Sequence, residues 1–285
     1  MVPDPALITA LRKSQAAHKY SHGHALILAG GVGRGGAARL AARGALRMGA
    51  GLVTVACPPA ALQENAARLD AIMLRPLRDG AALGAMLDDP RLTALCLGPG
   101  LGLGAREAVL VEAALQPRPA RETVILDADA LTLLAQSPDL RALLHPSCIL
   151  TPHEGEFARL CPDLAAGLRD ATTSDARAAI VTQAAQDLGA VVLLKGPLTV
   201  IAAPDGAVAT SAARGDRAAP WLATAGSGDV LAGFITGLAA RGVAPMQAAI
   251  WGAYLHLEAA LDFGPGLIAE DLPERLPKIF RRLGV

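Results

Sequence analysis

The chain has 285 residues, 52% hydrophobic and only 3% aromatic, with 26 Lys and Arg balanced by 26 Asp and Glu. A neutral chain carries no basic field to recruit nucleic acid, and two Trp, two Tyr and four Phe supply little to stack bases. The length fits one large α/β domain spanning 1–285, with a core built from Ala, Leu, Val and Gly.

In chain order, Met1 to Tyr20 holds no apolar run long enough for a signal peptide and is expected as a loose N-terminal arm. His18, His22 and His24 follow without an acid nearby, so they do not read as a metal site. Short apolar runs predict strands at Ala25–Ala29, Leu52–Ala56, Ala94–Leu97, Val124–Leu126, Cys148–Leu150 and Val191–Leu194. Helical spacing predicts helices over Gly35–Met48, Arg106–Leu115, Thr173–Leu188, Asp229–Arg241 and Pro245–Asp262. A hairpin is expected over Thr199–Ala203 and Ala207–Thr210, turning at Pro204-Asp205-Gly206. Alternating strands and helices predict a three-layer αβα fold around a mostly parallel sheet. Trp221 to Ala240 is apolar, but Asp229 and a glycine cluster near its centre would be costly in lipid, so it reads as a loop and a buried helix. Cys57, Cys96, Cys148 and Cys161 have no metal spacing and read as small core residues of a reducing compartment. A cytoplasmic protein is expected, with no membrane or nucleic-acid partner.

Ligands gather beyond the carboxyl ends of strands in such a sheet. There the sequence places Gly98-Pro99-Gly100-Leu101-Gly102, Asp127-Ala128-Asp129, Thr151-Pro152-His153-Glu154-Gly155-Glu156 and Lys195-Gly196. Gly226-Ser227-Gly228-Asp229 opens a predicted helix, where backbone N–H groups and the helix dipole favour phosphate oxygens. Asp229 there is either a first-turn acid or a base that takes a hydroxyl proton during phosphoryl transfer. His153 is a substrate contact, a positioner of metal-bound water, or a loop histidine without a role. Asp127 and Asp129 are helix caps or site residues. Gly31-Val32-Gly33-Arg34-Gly35-Gly36 satisfies G-x-G-x-x-G, yet no Asp or Glu lies between Gly36 and Glu64 to hold ribose hydroxyls, which argues against a hydride-transfer dinucleotide fold.

Together these segments, with Gly44 to Val53, Leu126 to Leu131, Leu150 to Phe157 and Ala223 to Leu231, resemble the ADP-dependent (S)-NAD(P)H-hydrate dehydratases of the ribokinase-like superfamily. The resemblance runs from about His18 to Asp262. It implies a lyase that restores NADH or NADPH from the hydrate, driven by phosphoryl transfer from ADP (or ATP) to give AMP and phosphate. It implies hydrate contacts at Ala37, Gly100, His153 and Asp229, with Asp229 catalytic. Nucleotide contacts would fall at Lys195, Gly196, Pro197, Leu198, Thr199 and Gly228, and an anion hole at Ala225, Gly226, Ser227 and Gly228. Magnesium bridging the phosphates, a homotetramer and functional pairing with an NAD(P)H-hydrate epimerase are implied as well. Three positions depart from the family pattern. Glu154 stands where a Pro is usual, Ala225 where a Gly is, and Pro197-Leu198 where a small Gly-containing loop is. The alternatives are a related small-molecule kinase, of the hydroxyethylthiazole kinase type, and a nucleotide-binding protein without turnover.

Overall fold

The computed structural model describes residues 4–118 and 123–285. Among them a nine-stranded sheet runs in the order β3-β2-β1-β4-β5-β6-β7-β8-β9. The strands are β1 (His24–Leu28), β2 (Leu52–Cys57), β3 (Met73–Pro76), β4 (Leu92–Leu97), β5 (Thr123–Leu126), β6 (Cys148–Leu150), β7 (Val191–Leu194), β8 (Leu198–Ala202) and β9 (Val208–Ala212). Strands β1 to β7 pair in parallel, and the β8–β9 hairpin adds antiparallel strands at one edge.

The inner strands are mostly apolar because helices cover both faces of the sheet. Alternate residues divide between the faces. Ala94 and Cys96 face one core with the helices Gly35–Arg47, Ser227–Ala240, Pro245–Phe263 and Asp271–Leu283. Leu95 and Leu97 face the other, with Gly80–Leu87, Ala105–Leu115 and Asp129–Gln136. Val192 and Leu194 extend that second face over Ser174–Leu188.

Two helices meet at unusually short range. A Cβ on Gly233 would stand 2.2 Å from the Ala41 carbonyl oxygen, and one on Gly237 would stand 2.6 Å from that of Ala45. Only hydrogen fits at either position, so Ser227–Ala240 lies directly against Gly35–Arg47. Both helices start at the carboxyl edge of the sheet.

Of the loose arm expected at the N-terminus, residues 1–3 lie outside the described residues, residues 12–20 are almost all exposed, and residues 5–11 pack instead as a helix. Pro5–Leu11 is a helix capped by Asp4, whose side chain accepts from Ala6 N–H. Leu7 and Leu11 are 1% and 4% exposed in the main core. Two apolar residues one helical turn apart are enough to seat so short a helix. Strand β3 was not legible because it lies at the sheet edge, and Met73, Arg75 and Pro76 are exposed. Helix Asp271–Leu283 was hidden by Pro273 and Pro277, yet it buries Leu272, Leu276 and Ile279. Trp221 to Ala240 resolves into a turn and a buried helix, and no helix among the described residues is long and apolar enough to cross a membrane.

Candidate active site

The loops after β4, β5, β6 and β7 converge at one edge. A Cβ on Gly98, whose φ is +120°, would stand 1.7 Å from the Asp127 carbonyl oxygen, so the first two loops touch through a glycine. Ala128 follows at φ 48°, the only non-glycine residue with positive φ among those described. Such a backbone is costly for a side chain and collects at functional sites. Here it turns the two acids that flank it to different tasks. Asp129 accepts from Gly102 N–H at 2.8 Å, pinning the Gly98–Gly102 loop. Asp127 is 2% exposed and accepts from the Thr151 hydroxyl at 2.8 Å and from Lys195 Nζ at 2.8 Å. Neither carboxylate caps the helix that follows, which has no side-chain cap.

Lys195 reaches Asp127 because its backbone extends the sheet. Its N–H donates to the Pro152 carbonyl at 2.8 Å, and it forms an isolated parallel bridge with His153. Its ammonium also stands 3.9 Å from Glu156. Glu156 accepts from His153 N–H at 2.8 Å, and His153 Nδ1 accepts from the N–H groups of Gly155 at 3.0 Å and Glu156 at 3.2 Å. This reciprocal cap fixes Nδ1 as the acceptor, so the proton of a neutral His153 sits on Nε2. The imidazole remains half exposed at the mouth of the site.

Gly226 adopts φ +87°, which lets the chain turn directly into helix Ser227–Ala240. The first turn of a helix leaves N–H groups without intrahelical acceptors. Here Val230 is the first to find its regular partner, on the Gly226 carbonyl at 3.1 Å, so Gly228 and Asp229 present their N–H groups at the positive end of the helix dipole. A Cβ on Gly228 would stand 3.4 Å from Lys195 Nζ and 4.0 Å from Asp127 Oδ2. The glycine start, the ammonium and the buried carboxylate therefore share one space. Asp229 lies beside it with its carboxyl pushed up to about 6, chiefly by burial and then by the negative charge of Asp127, with Lys195 opposing. A carboxyl raised to that value is ionised at neutral pH and has the basicity that proton abstraction requires.

A cavity of about 460 Å³ opens on this space, within the range of small-molecule sites. Lys195, Gly196, Pro197, Thr199, Ser227 and Gly228 line it. Leu198 does not, because its side chain is 6% exposed in the core beside Val200, so only its backbone can face a ligand. Thr199 is held by donating its hydroxyl to the Gly196 carbonyl at 3.1 Å. His256, which sequence reasoning missed, also lines the wall. Its Nε2 donates to the Ser227 carbonyl at 2.9 Å, and burial holds the ring down at about 4, hence neutral. It was missed because it belongs to a separate helix with no motif around it.

Ala37 and Gly100 are brought together: a Cβ on Gly100 would stand 3.4 Å from that of Ala37. The Gly31–Gly36 loop is closed by Glu64, whose carboxylate accepts from Gly33 N–H at 2.8 Å. The acid missing from its usual place thus binds the loop backbone itself.

The three-layer sheet, with a glycine-opened helix and the partly buried Asp229 at its carboxyl edge, has a ribokinase-like fold. A family model described as NAD(P)H-hydrate dehydratase matches residues 25–282, and the chain belongs to that family. It is 39% identical to a bifunctional NAD(P)H-hydrate repair enzyme of Moorella thermoacetica over 95% of this chain, and spans 52% of that protein. The chain thus spans about half the length of its bifunctional relatives. It is 35% identical to an ADP-dependent (S)-NAD(P)H-hydrate dehydratase of Xanthomonas campestris, with 93% of this chain and 90% of that protein aligned. Among solved structures, the ADP/ATP-dependent NAD(P)H-hydrate dehydratase of Bacillus subtilis, co-crystallised with ATP and Mg2+, superposes with a TM-score of 0.77. That match has 30% identity and covers 97% of this chain and 95% of that one.

Proposed function

We propose that this chain dehydrates the S-form of NADH-hydrate and NADPH-hydrate, using the terminal phosphoryl group of ADP. The observation that carries this reading is Asp229, its carboxyl raised to about 6, beside the free N–H groups of the helix start and the cavity at Lys195.

The hydrate bears a hydroxyl on a ring carbon next to nitrogen, and hydroxide leaves poorly. Asp229 accepts the hydroxyl proton while that oxygen attacks the terminal phosphorus of ADP, and AMP departs. The N–H groups of Gly228 and Asp229, with Lys195, stabilise the charge on the transferred group. The ring nitrogen's lone pair then expels phosphate. Loss of a proton from the neighbouring carbon restores the dihydronicotinamide. Ala37 and Gly100 form a small-residue wall for the substrate, and His153 offers Nε2–H from the mouth. Nucleotide contacts fall at Lys195, Gly196, Pro197, Thr199, the backbone of Leu198, and Gly228. Ala225 to Gly228 form the anion hole.

Hard oxygen donors suit Mg2+, which pairs one or two carboxylates with substrate phosphates. Asp127 and Glu156 supply such donors around Lys195. When bound, the ion would neutralise phosphate charge. A cytoplasmic homotetramer working alongside an NAD(P)H-hydrate epimerase belongs to the same reading, and light scattering measures the oligomer directly.

Phosphorus NMR on a completed reaction tests the chemistry. Equal amounts of AMP, inorganic phosphate and reduced nicotinamide are expected, with ATP compared as donor in a parallel run. A persistent phosphate ester without free phosphate would instead make the chain a small-molecule kinase. No nucleotide turnover would make it a binding protein.

A further inference from the structure

A second cavity, of about 560 Å³, shares no lining residue with the cavity at Lys195. It meets the candidate site at two points. Gly36, on its wall, is the chain neighbour of Ala37. Leu40, also on its wall, has its Cδ1 where a Cβ on Gly226 would approach to 2.6 Å. The Gly226 loop therefore separates two spaces, and the reaction proposed above needs two ligands.

The two spaces differ in chemistry. The second carries Arg39, Arg43, Arg47 and Arg68 against the carboxylates of Asp70 and Glu270. Arg43 and Arg47 are engaged by Glu274 at 2.9 Å and 2.5 Å. Arg39 donates to the neutral amide oxygen of Asn65 at 3.0 Å, and neither Arg39 nor Arg68 forms an ion pair among the described residues. Leu46, Leu69 and Ile72 add an apolar floor. Two guanidinium groups without a carboxylate partner, above an apolar floor, form a receptor for phosphate attached to a planar base. In the reading above, ADP lies beside Lys195 and Gly228. The remaining ligand is a dinucleotide whose ring must reach Ala37 and whose two bridging phosphates must lie somewhere beyond it.

We infer that Arg39 and Arg68 bind the bridging phosphates of the dinucleotide substrate, so that this cleft holds the half of the hydrate that does not react. The inference rests on the dehydratase reading. It adds a site that determines substrate affinity without touching the nucleotide donor.

The test is steady-state kinetics on Arg39→Gln/Arg68→Gln and on Arg68→Gln alone, an exposed position that leaves the fold unburdened, together with equilibrium dialysis of NADPH. The KM for NADH-hydrate is expected to rise about 10-fold or more in the double variant, with kcat and the KM for ADP within about twofold of wild type. NADPH should bind correspondingly more weakly, and kcat/KM should lose part of its dependence on salt. Arg39→Lys/Arg68→Lys should recover part of the loss. An unchanged KM for the hydrate in a wild type that turns it over would overturn the cleft assignment alone, as would an equal rise in the KM for ADP. Absence of hydrate turnover by the wild type would overturn the dehydratase reading itself.

Discussion

Lys195 Nζ lies 2.8 Å from Asp127 Oδ1, and this one ion pair joins the strand β5 loop to the strand β7 loop at the floor of the site. Asp127 is almost fully buried, so the ammonium offsets a charge that would otherwise stand uncompensated. The same ammonium acts on Asp229, holding its carboxyl lower than burial and Asp127 alone would set it. Support of a buried acid and the setting of the Asp229 carboxyl thus converge on a single cation.

Asp229→Asn keeps the shape and removes the proton acceptor. Turnover should fall by about 100-fold or more while ADP binding survives. Thermal stability at pH 7 should rise, because the wild type must hold a poorly solvated charge. The shift from 3.8 to about 6 corresponds to on the order of 3 kcal/mol. Single-turnover rates and melting curves measure the two effects. A variant retaining a tenth of the wild-type rate would remove Asp229 from the role of base.

The pH profile follows from the same carboxyl. Its native value is raised, so the stability contributed by the neutral form is full below 3.8 and is lost as pH rises through about 6. Activity runs the other way, because the base must be ionised. The kcat/KM should therefore climb with pH to a plateau above about 6. In Lys195→Met the cation that lowers Asp229 is gone, so the acidic limb should move to higher pH and ADP affinity should drop. Unfolding should also become easier by about 3–5 kcal/mol as Asp127 loses its partner. An acidic limb unchanged in this variant would dissociate Lys195 from Asp229.

Gly228→Val places branches toward Lys195 Nζ, which stands 3.4 Å from where the Cβ would lie. The phosphate space is then occupied by protein. Calorimetry should find ADP binding abolished in a chain with a normal circular dichroism spectrum. Normal ADP affinity would put the phosphates elsewhere.

His256→Phe preserves bulk and removes the second donor to the Ser227 carbonyl, which keeps its helical bond from Leu231 N–H. The cost should be about 0.5–1.5 kcal/mol in stability, as for one lost hydrogen bond. Because Ser227 begins the helix whose N–H groups are proposed to hold phosphate, the KM for ADP should rise more than kcat falls. His256→Gln, which can donate to the same carbonyl, should recover part of the affinity. If the KM for ADP stays fixed in both variants, the bond to Ser227 serves folding only.

The sequence alone determined the layers and the edge that carries the site. Strands buried on both faces are apolar throughout, and glycine clusters mark where backbone must approach backbone or phosphate. Both signals are local, so Ala25–Ala29, Gly98–Gly102 and Gly226–Asp229 could be read directly. Which side chains meet was decided by the tertiary structure. Asp127 and Lys195 are separated by 68 residues, and their pairing depends on β5, β6 and β7 lying side by side. The strained φ of Ala128, which divides Asp127 from Asp129, has no mark in an Ala flanked by acids. His256 and Glu64 reach the site from elements without any motif, and the edge strand β3 is too exposed to show a pattern. Burial, distance and the field at a carboxyl are sums over neighbours distant in the chain, and the folded sheet is what brings those neighbours together.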